Sequence, residues 1–155
     1  KKECFMWIIG LTGAIGAGKS WVSSCFRKKG VPVHCADRYI HFLLSQSKDI
    51  QKQIKTLWPE VFLDGKINRI LLGDLVFSSR SHLHQLESLL YPKLVQAQKK
   101  FLQQQQYLKK QVVVLDVPLL FEVGLDTYCD YVLVVSAPFS LRKQRVMRRK
   151  GMTLQ

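Results

Sequence analysis

The eight residues Gly13-Ala14-Ile15-Gly16-Ala17-Gly18-Lys19-Ser20 fit the pattern G-x-x-x-x-G-K-[ST] and constrain this chain more than any other stretch. An apolar run from Phe5 to Leu11 precedes them and reads as a buried strand; Lys19 to Lys29 follows as a helix. Strand, glycine loop and helix in that order make a phosphate-binding loop. Gly13, Gly16 and Gly18 allow the tight turn that aims successive N–H groups at a polyphosphate. The helix adds its positive end. Lys19 is then expected to reach the β- and γ-phosphates, and the Ser20 hydroxyl to hold Mg²⁺. The expected ligand is a nucleoside triphosphate.

At 155 residues the chain is the size of a single domain. Its longest apolar runs, such as Val112 to Val117, are far too short to cross a bilayer. Lys1-Lys2-Glu3-Cys4 leads straight into the first strand, so no cleavable signal is expected. Cys4, Cys25, Cys35 and Cys129 show no CxxC spacing, which favours reduced thiols in the cytoplasm over disulfides or a zinc site. His41, His82 and His84 lack metal-ligand spacing and read as surface or packing residues. The net charge of +13 would suit nucleic acid, an anionic surface or a phosphorylated small molecule. No RNA- or DNA-binding signature accompanies it, so no nucleic-acid partner is expected. The densest basic stretch, Arg142, Lys143, Arg145, Arg148, Arg149 and Lys150, lies where a nucleotide kinase needs cations around its phosphates.

Along the chain, Gly30 stops the first helix, and Val31 to Cys35 reads as a second strand. Asp37 follows, at the carboxyl end where parallel sheets bind ligands; it could equally serve as the N-cap of a helix from Arg38 to Ser45. Helical spacing then recurs from Lys48 to Trp58, ended by Pro59. After an Asp64-Gly65 turn, Ile67 to Phe77 reads as a helix with Ile67, Ile70, Leu71, Leu75 and Val76 on one face. Ser78 to Leu90 reads as another, with Leu83, Leu86, Leu89 and Leu90 inward, and Pro92 opens a third reaching about Lys110. A direct crossover needs only a dozen residues, so the stretch from about 38 to 110 is expected to be an all-helical lobe inserted within a single domain of residues 1–155. Gln111 to Val117 returns as a buried parallel strand. It ends on Asp116, placed to organise Mg²⁺ and its waters. Tyr131 to Val135 is a further strand, and Pro138 begins a basic helix through about Arg149.

These segments together resemble the dephospho-coenzyme A kinase family. Leu11-Thr12-Gly13 with Ile15-Gly16 and Gly18-Lys19-Ser20 resembles its loop. Gly30-Val31-Pro32-Val33 with Ala36-Asp37 resembles its second strand and catalytic aspartate. Asp64-Gly65 with Ile67, Arg69, Leu72 and Val76-Phe77 resembles its substrate lobe. Asp116-Val117-Pro118-Leu119-Leu120-Phe121-Glu122 is close to its most recognisable segment outside the loop. Gln144-Arg145 with Met147 and Arg149 resembles the start of its lid, near residue 142. One loop names thousands of proteins; five segments in order name one family.

The resemblance implies an α/β P-loop kinase fold, a parallel sheet flanked by helices with a helical substrate-binding insert. It implies transfer of the γ-phosphoryl of ATP to the ribose 3′-hydroxyl of dephospho-coenzyme A, with Mg²⁺ as cofactor and a monomer as the favoured state. Asp37 would accept the hydroxyl proton, Lys19 and Arg145 would serve catalysis, and Ser20 and Asp116 would serve the metal. Gly13 to Trp21 and Arg149 would bind nucleotide. Ala14 stands for a usual glycine, so its φ must be ordinary. Trp21 stands for Thr, Cys35 for Asp and Tyr91 for His. Alternatives are a kinase for another small hydroxylated acceptor, or a nucleotide-dependent binding protein using its basic surface on RNA. The family continues past the position of Gln155 through its lid into a last strand and helix. A chain of 155 residues is therefore expected to expose a sheet edge, bind ATP weakly and turn over slowly.

Overall fold

The computed structural model describes residues 5–118, 120 and 124–148. Leu119, Phe121, Glu122 and Arg149, all singled out above, lie outside the described residues. In chain order the elements are β1 (Trp7–Gly13), α1 (Lys19–Lys28), β2 (Val33–Cys35), α2 (Ala36–Gln46) and α3 (Lys48–Leu57). Then come β3 (Phe62–Leu63), β4 (Lys66–Ile67), α4 (Arg69–Ser78), α5 (Arg80–Tyr107), β5 (Val112–Asp116), β6 (Tyr131–Val135) and α6 (Phe139–Met147). Two compact units result, one of Lys1–Ala36 with Phe101–Gln155 and the other of Asp37–Lys100. Among the described residues no helix is long and apolar enough to cross a membrane.

The first unit is built on a four-stranded sheet of order β2-β5-β1-β6, parallel throughout. Its β5 is a β-branched run because both faces are covered, and Val113, Val114 and Leu115 are buried. Gly10 in β1 has a packing reason. A Cβ there would meet Leu120 Cδ2 at 2.7 Å and Cys129 Sγ at 2.8 Å. The start of β1 is pinned by Asp130, whose carboxylate accepts from the Ile8 N–H (2.8 Å) while its own N–H donates to Ile8 O (2.9 Å). The strand begins at Trp7, not Phe5: Trp7 N–H bonds Gln111 O at 2.8 Å, and Phe5 stays exposed against the Trp7 ring. Gly30 ends α1 as expected, with φ +74° and its N–H on Arg27 O. At the other side of the sheet β6 is an edge strand, with Tyr131, Val132, Leu133 and Val134 exposed.

His34 on β2 packs its ring 5.4 Å from Phe101, and burial lowers its pKa from 6.5. Folding therefore favours the neutral imidazole. Its contribution is complete above about pH 6.5, the unfolded value, and is lost as pH falls through the window below. Melting temperatures of wild type and His34→Gln between pH 7.5 and 5 should show a steeper acid-side decline in the wild type.

The second unit packs Leu43, Ile50, Ile54, Trp58, Val61, Leu72, Val76 and Leu90 into one core. Ser47 caps α3 by accepting from Ile50 N–H, which sets Ile50 and Ile54 inward. Three expectations are corrected here. The stretch is not all helical. Asp64 (φ 50°) and Gly65 (φ 74°) form a two-residue turn that closes the β3–β4 hairpin. Ile67 therefore belongs to a strand, and α4 starts after Asn68, whose side chain accepts from Ile70 N–H (3.0 Å) and Leu71 N–H (3.1 Å). That cap turns Leu72 and Val76 inward; Ile67, Leu75 and Val76 face the core as the spacing suggests, whereas Ile70 (75%) and Leu71 (39%) are exposed and Leu72 takes their place. Finally, α5 runs unbroken through Pro92. An internal proline costs about 3 kcal/mol, but the inward stripe of Leu83, Leu86, Leu89 and Leu90 continues beyond it at the buried Leu94.

Candidate nucleotide-binding site

The loop joins the carboxyl end of β1 to α1, and its glycines answer to two constraints, close approach and positive φ. Gly13 closes β1, where a Cβ would lie 2.5 Å from Val135 O of the neighbouring strand. Gly16 (φ +76°) and Gly18 (φ +105°) occupy backbone conformations that side chains resist. Gly18 is the N-cap of α1, and its carbonyl accepts from Trp21 and Val22 N–H (3.0 and 3.3 Å). Ala17 N–H closes a turn onto Ala14 O at 3.0 Å. Among the described residues the positive-φ non-glycines are Asp64 and Lys109, so Ala14 does have the ordinary φ that its side chain requires.

Lys19 and Asp116 meet. The Lys19 ammonium forms an ion pair with the Asp116 carboxylate, with side chains only 13% and 3% exposed. Asp116 ends β5 in register with Leu11 of β1 and Cys35 of β2, so the sheet sets both its depth and its distance from the loop. Thr12 Oγ1 donates to Pro118 O (2.9 Å) and ties the chain after Asp116 to the strand before the loop. Ser20, in the first turn of α1, is exposed, and Trp21 beside it is 73% exposed. On the remaining side stands α6. A Cβ on Gly16 would meet Arg142 O at 2.8 Å and Val146 Cγ2 at 3.2 Å. Arg145 Nη1 donates to Gly16 O (3.0 Å) and Ala17 O (3.2 Å).

The loop residues, Lys19, Ser20, Asp116 and Arg145 thus share one unit. Asp37 belongs to the other, exposed in the first turn of α2. It is not an N-cap, because α2 already begins at Ala36. His82 packs against Trp58 (5.8 Å between centroids), while His41 and His84 are exposed. Sequence reasoning missed that Asp116 pairs with Lys19 and that Arg145 binds backbone. Among the described residues no three His, Cys, Asp or Glu side chains are grouped to hold a metal. Mg²⁺ bound beside phosphates usually takes only one or two protein oxygens. The Ser20 hydroxyl and Asp116 carboxylate fit that donor set.

The dephospho-CoA kinase (CoaE) family model matches residues 7–155. The chain belongs to that family. It is 41% identical over 150 residues to a dephospho-CoA kinase of Paramagnetospirillum magneticum, covering 97% of this chain and 71% of the relative. Against the dephospho-CoA kinase of Rhodospirillum rubrum the identity is 44% over 147 residues, covering 94% and 70%. In fold it resembles the crystal structure of TT1252 from Thermus thermophilus, with TM-score 0.80 and 34% identity over 96% of this chain and 75% of that one. The dephospho-CoA kinase from Campylobacter jejuni, at 17% identity and TM-score 0.62, is alike in fold, covering 90% of this chain and 94% of its own. The P-loop kinase architecture of the family is the one observed: a parallel sheet with helices around it and the loop at a strand end.

The crowding at Gly16 yields a direct test of the loop. Gly16→Ala adds left-handed strain of roughly 1–2 kcal/mol, and its methyl group must displace the α6 backbone. Gly30→Ala has a similar φ (+74°) with nothing within 4 Å. Isothermal titration should show lost ATP binding for Gly16→Ala and unchanged affinity for Gly30→Ala.

Proposed function

We infer that this chain is an ATP-dependent phosphotransferase that makes coenzyme A from dephospho-coenzyme A by phosphorylating the ribose 3′-hydroxyl. The family match over residues 7–155 carries the reading. The loop geometry supports it, with Gly16 and Gly18 left-handed and Lys19 at the mouth of α1. In the mechanism we propose, Lys19 leaves Asp116 for the β- and γ-phosphates and neutralises charge that builds during transfer. Ser20 and Asp116 would hold Mg²⁺, which when bound supplies further neutralisation of the phosphate oxygens. Asp37, exposed at the start of α2, accepts the proton of the attacking hydroxyl. Arg145 keeps a fixed cation beside the loop. Phosphoryl transfer through a loose transition state needs chiefly such positioning and charge. Cys25, Cys35 and Cys129 form no disulfide among the described residues, and such reduced thiols suit a cytoplasmic enzyme.

A coupled ADP-release assay tests the reading. Turnover with dephospho-coenzyme A and ATP, absent with nucleoside monophosphates, is the expected result. Turnover only with monophosphates would assign another acceptor, and salt-dependent RNA binding without ADP release would make the chain a binding protein.

A further inference from the structure

We propose that Arg145 is a positioning residue that braces the phosphate loop from behind, and that it acts on nucleotide through the loop backbone. The proposal rests on the reading of residues 13–20 as the nucleotide loop. Its guanidinium Nη1 bonds two consecutive carbonyls, Gly16 O at 3.0 Å and Ala17 O at 3.2 Å. In a trans peptide the C=O of one residue and the N–H of the next share a plane and point oppositely. Holding Gly16 O and Ala17 O on one cation therefore fixes the directions of the Ala17 and Gly18 N–H groups. Ala17 N–H is turned onto Ala14 O, which closes the loop. Gly18 N–H is turned away from Arg145, the direction a bound phosphate requires of it.

Both planes adjoin residues at φ +76° and +105°, conformations that an unassisted loop visits without holding. Arg145 does not act alone. Arg142, Arg145 and Val146 lie at i, i+3 and i+4 on α6 and form one face. The Arg142 backbone and the Val146 methyl press on Gly16, while the Arg145 guanidinium lies 3.5 Å from where a Gly18 Cβ would stand. Arg142 points its own guanidinium elsewhere, to Ala137 O (3.0 Å) and the face of Phe139. Among the described residues of the basic helix, Arg145 is thus the one on the loop carbonyls, and the geometry separates it from its neighbours.

The test is amide hydrogen exchange of residues 14–20 in the nucleotide-free protein, together with ATP kinetics. Losing two charge-assisted bonds, partly solvated, should speed loop exchange about 10-fold and raise the ATP KM about 10-fold in Arg145→Ala. The kcat should change much less, and Arg142→Ala should leave loop exchange at the wild-type rate. Arg145→Lys, able to reach one carbonyl at a time, should fall between. Unchanged loop exchange in a folded Arg145→Ala would overturn the proposal. So would a kcat loss above about 100-fold at constant ATP KM, which would place the guanidinium on the transferring phosphoryl group. Should Arg145→Ala fail to fold, Arg145→Gln keeps the stem and removes the charge, and the same two outcomes decide. A wild-type protein without any kinase activity would refute the assigned reaction while leaving the exchange result to judge the brace.

Discussion

Lys19→Ala should abolish ADP release and also lower the melting temperature. Loss of a cation from the transferring phosphates adds a few kcal/mol to the barrier, a rate loss of about 10²–10³ or more. The stability effect comes from the carboxylate left behind. Asp116 is 3% exposed and is paired with Lys19. Breaking a buried pair by removing one member costs on the order of 3–5 kcal/mol. For a chain of 155 residues that is at least about 6 °C. Adding Asp116→Asn should recover most of the lost temperature and none of the turnover. Scanning calorimetry and the ADP assay on both variants separate the two effects. An unaltered melting temperature in the single variant would show that the pair contributes nothing, and near-normal turnover would remove the loop from catalysis.

Asp37→Asn should lower kcat by roughly 10²–10⁴ while ATP KM stays near wild type, the mark of a lost general base. Stability should hardly move. Asp37 is exposed in the first turn of α2 and does not cap it, so what Asn loses is a charge near the positive helix end. Such a charge contributes about 0.3–1 kcal/mol. Steady-state kinetics beside thermal melts give both numbers. A kcat within about threefold of wild type would deny Asp37 the proton-transfer role.

Much of the site was legible because its residues obey local rules. Gly16 and Gly18 are glycine because φ is positive there, and no neighbour need be known to read that. The β-branched run before Asp116 announces a strand buried on both faces. What stayed hidden depends on partners far along the chain. The Lys19–Asp116 pair joins residues 97 positions apart, and Arg145 reaches carbonyls of residues more than 120 positions earlier. Backbone carbonyls carry no side-chain signature, so nothing local shows that Arg145 reaches them while Arg142 does not. In the helical unit the misreadings are of another kind. Strands of two residues, as in β3 and β4, are too short to show a period. The α4 segment is so apolar that only the Asn68 cap decides which of its leucines turn inward.

The pairing of β1 has a consequence for the order in which this protein can be made. Trp7 is in register with Val112, and Gly13 with Val135. Strand β1 thus leaves the ribosome long before either of its neighbours, β5 and β6, is synthesised. Chain growth of about 5–20 residues per second separates Gly13 from Val135 by roughly 6–24 s. For most of that interval β1 has neither flank, and its apolar stretch Ile8-Ile9-Gly10-Leu11 must be kept from other partners. Asp37–Lys100, whose core is drawn wholly from its own residues, has what it needs to condense meanwhile. A nascent chain arrested before residue 112 should therefore carry a protease-resistant segment over 37–100 and no capacity to retain ATP, and the nucleotide loop should acquire its shape only once β5 and β6 have been synthesised.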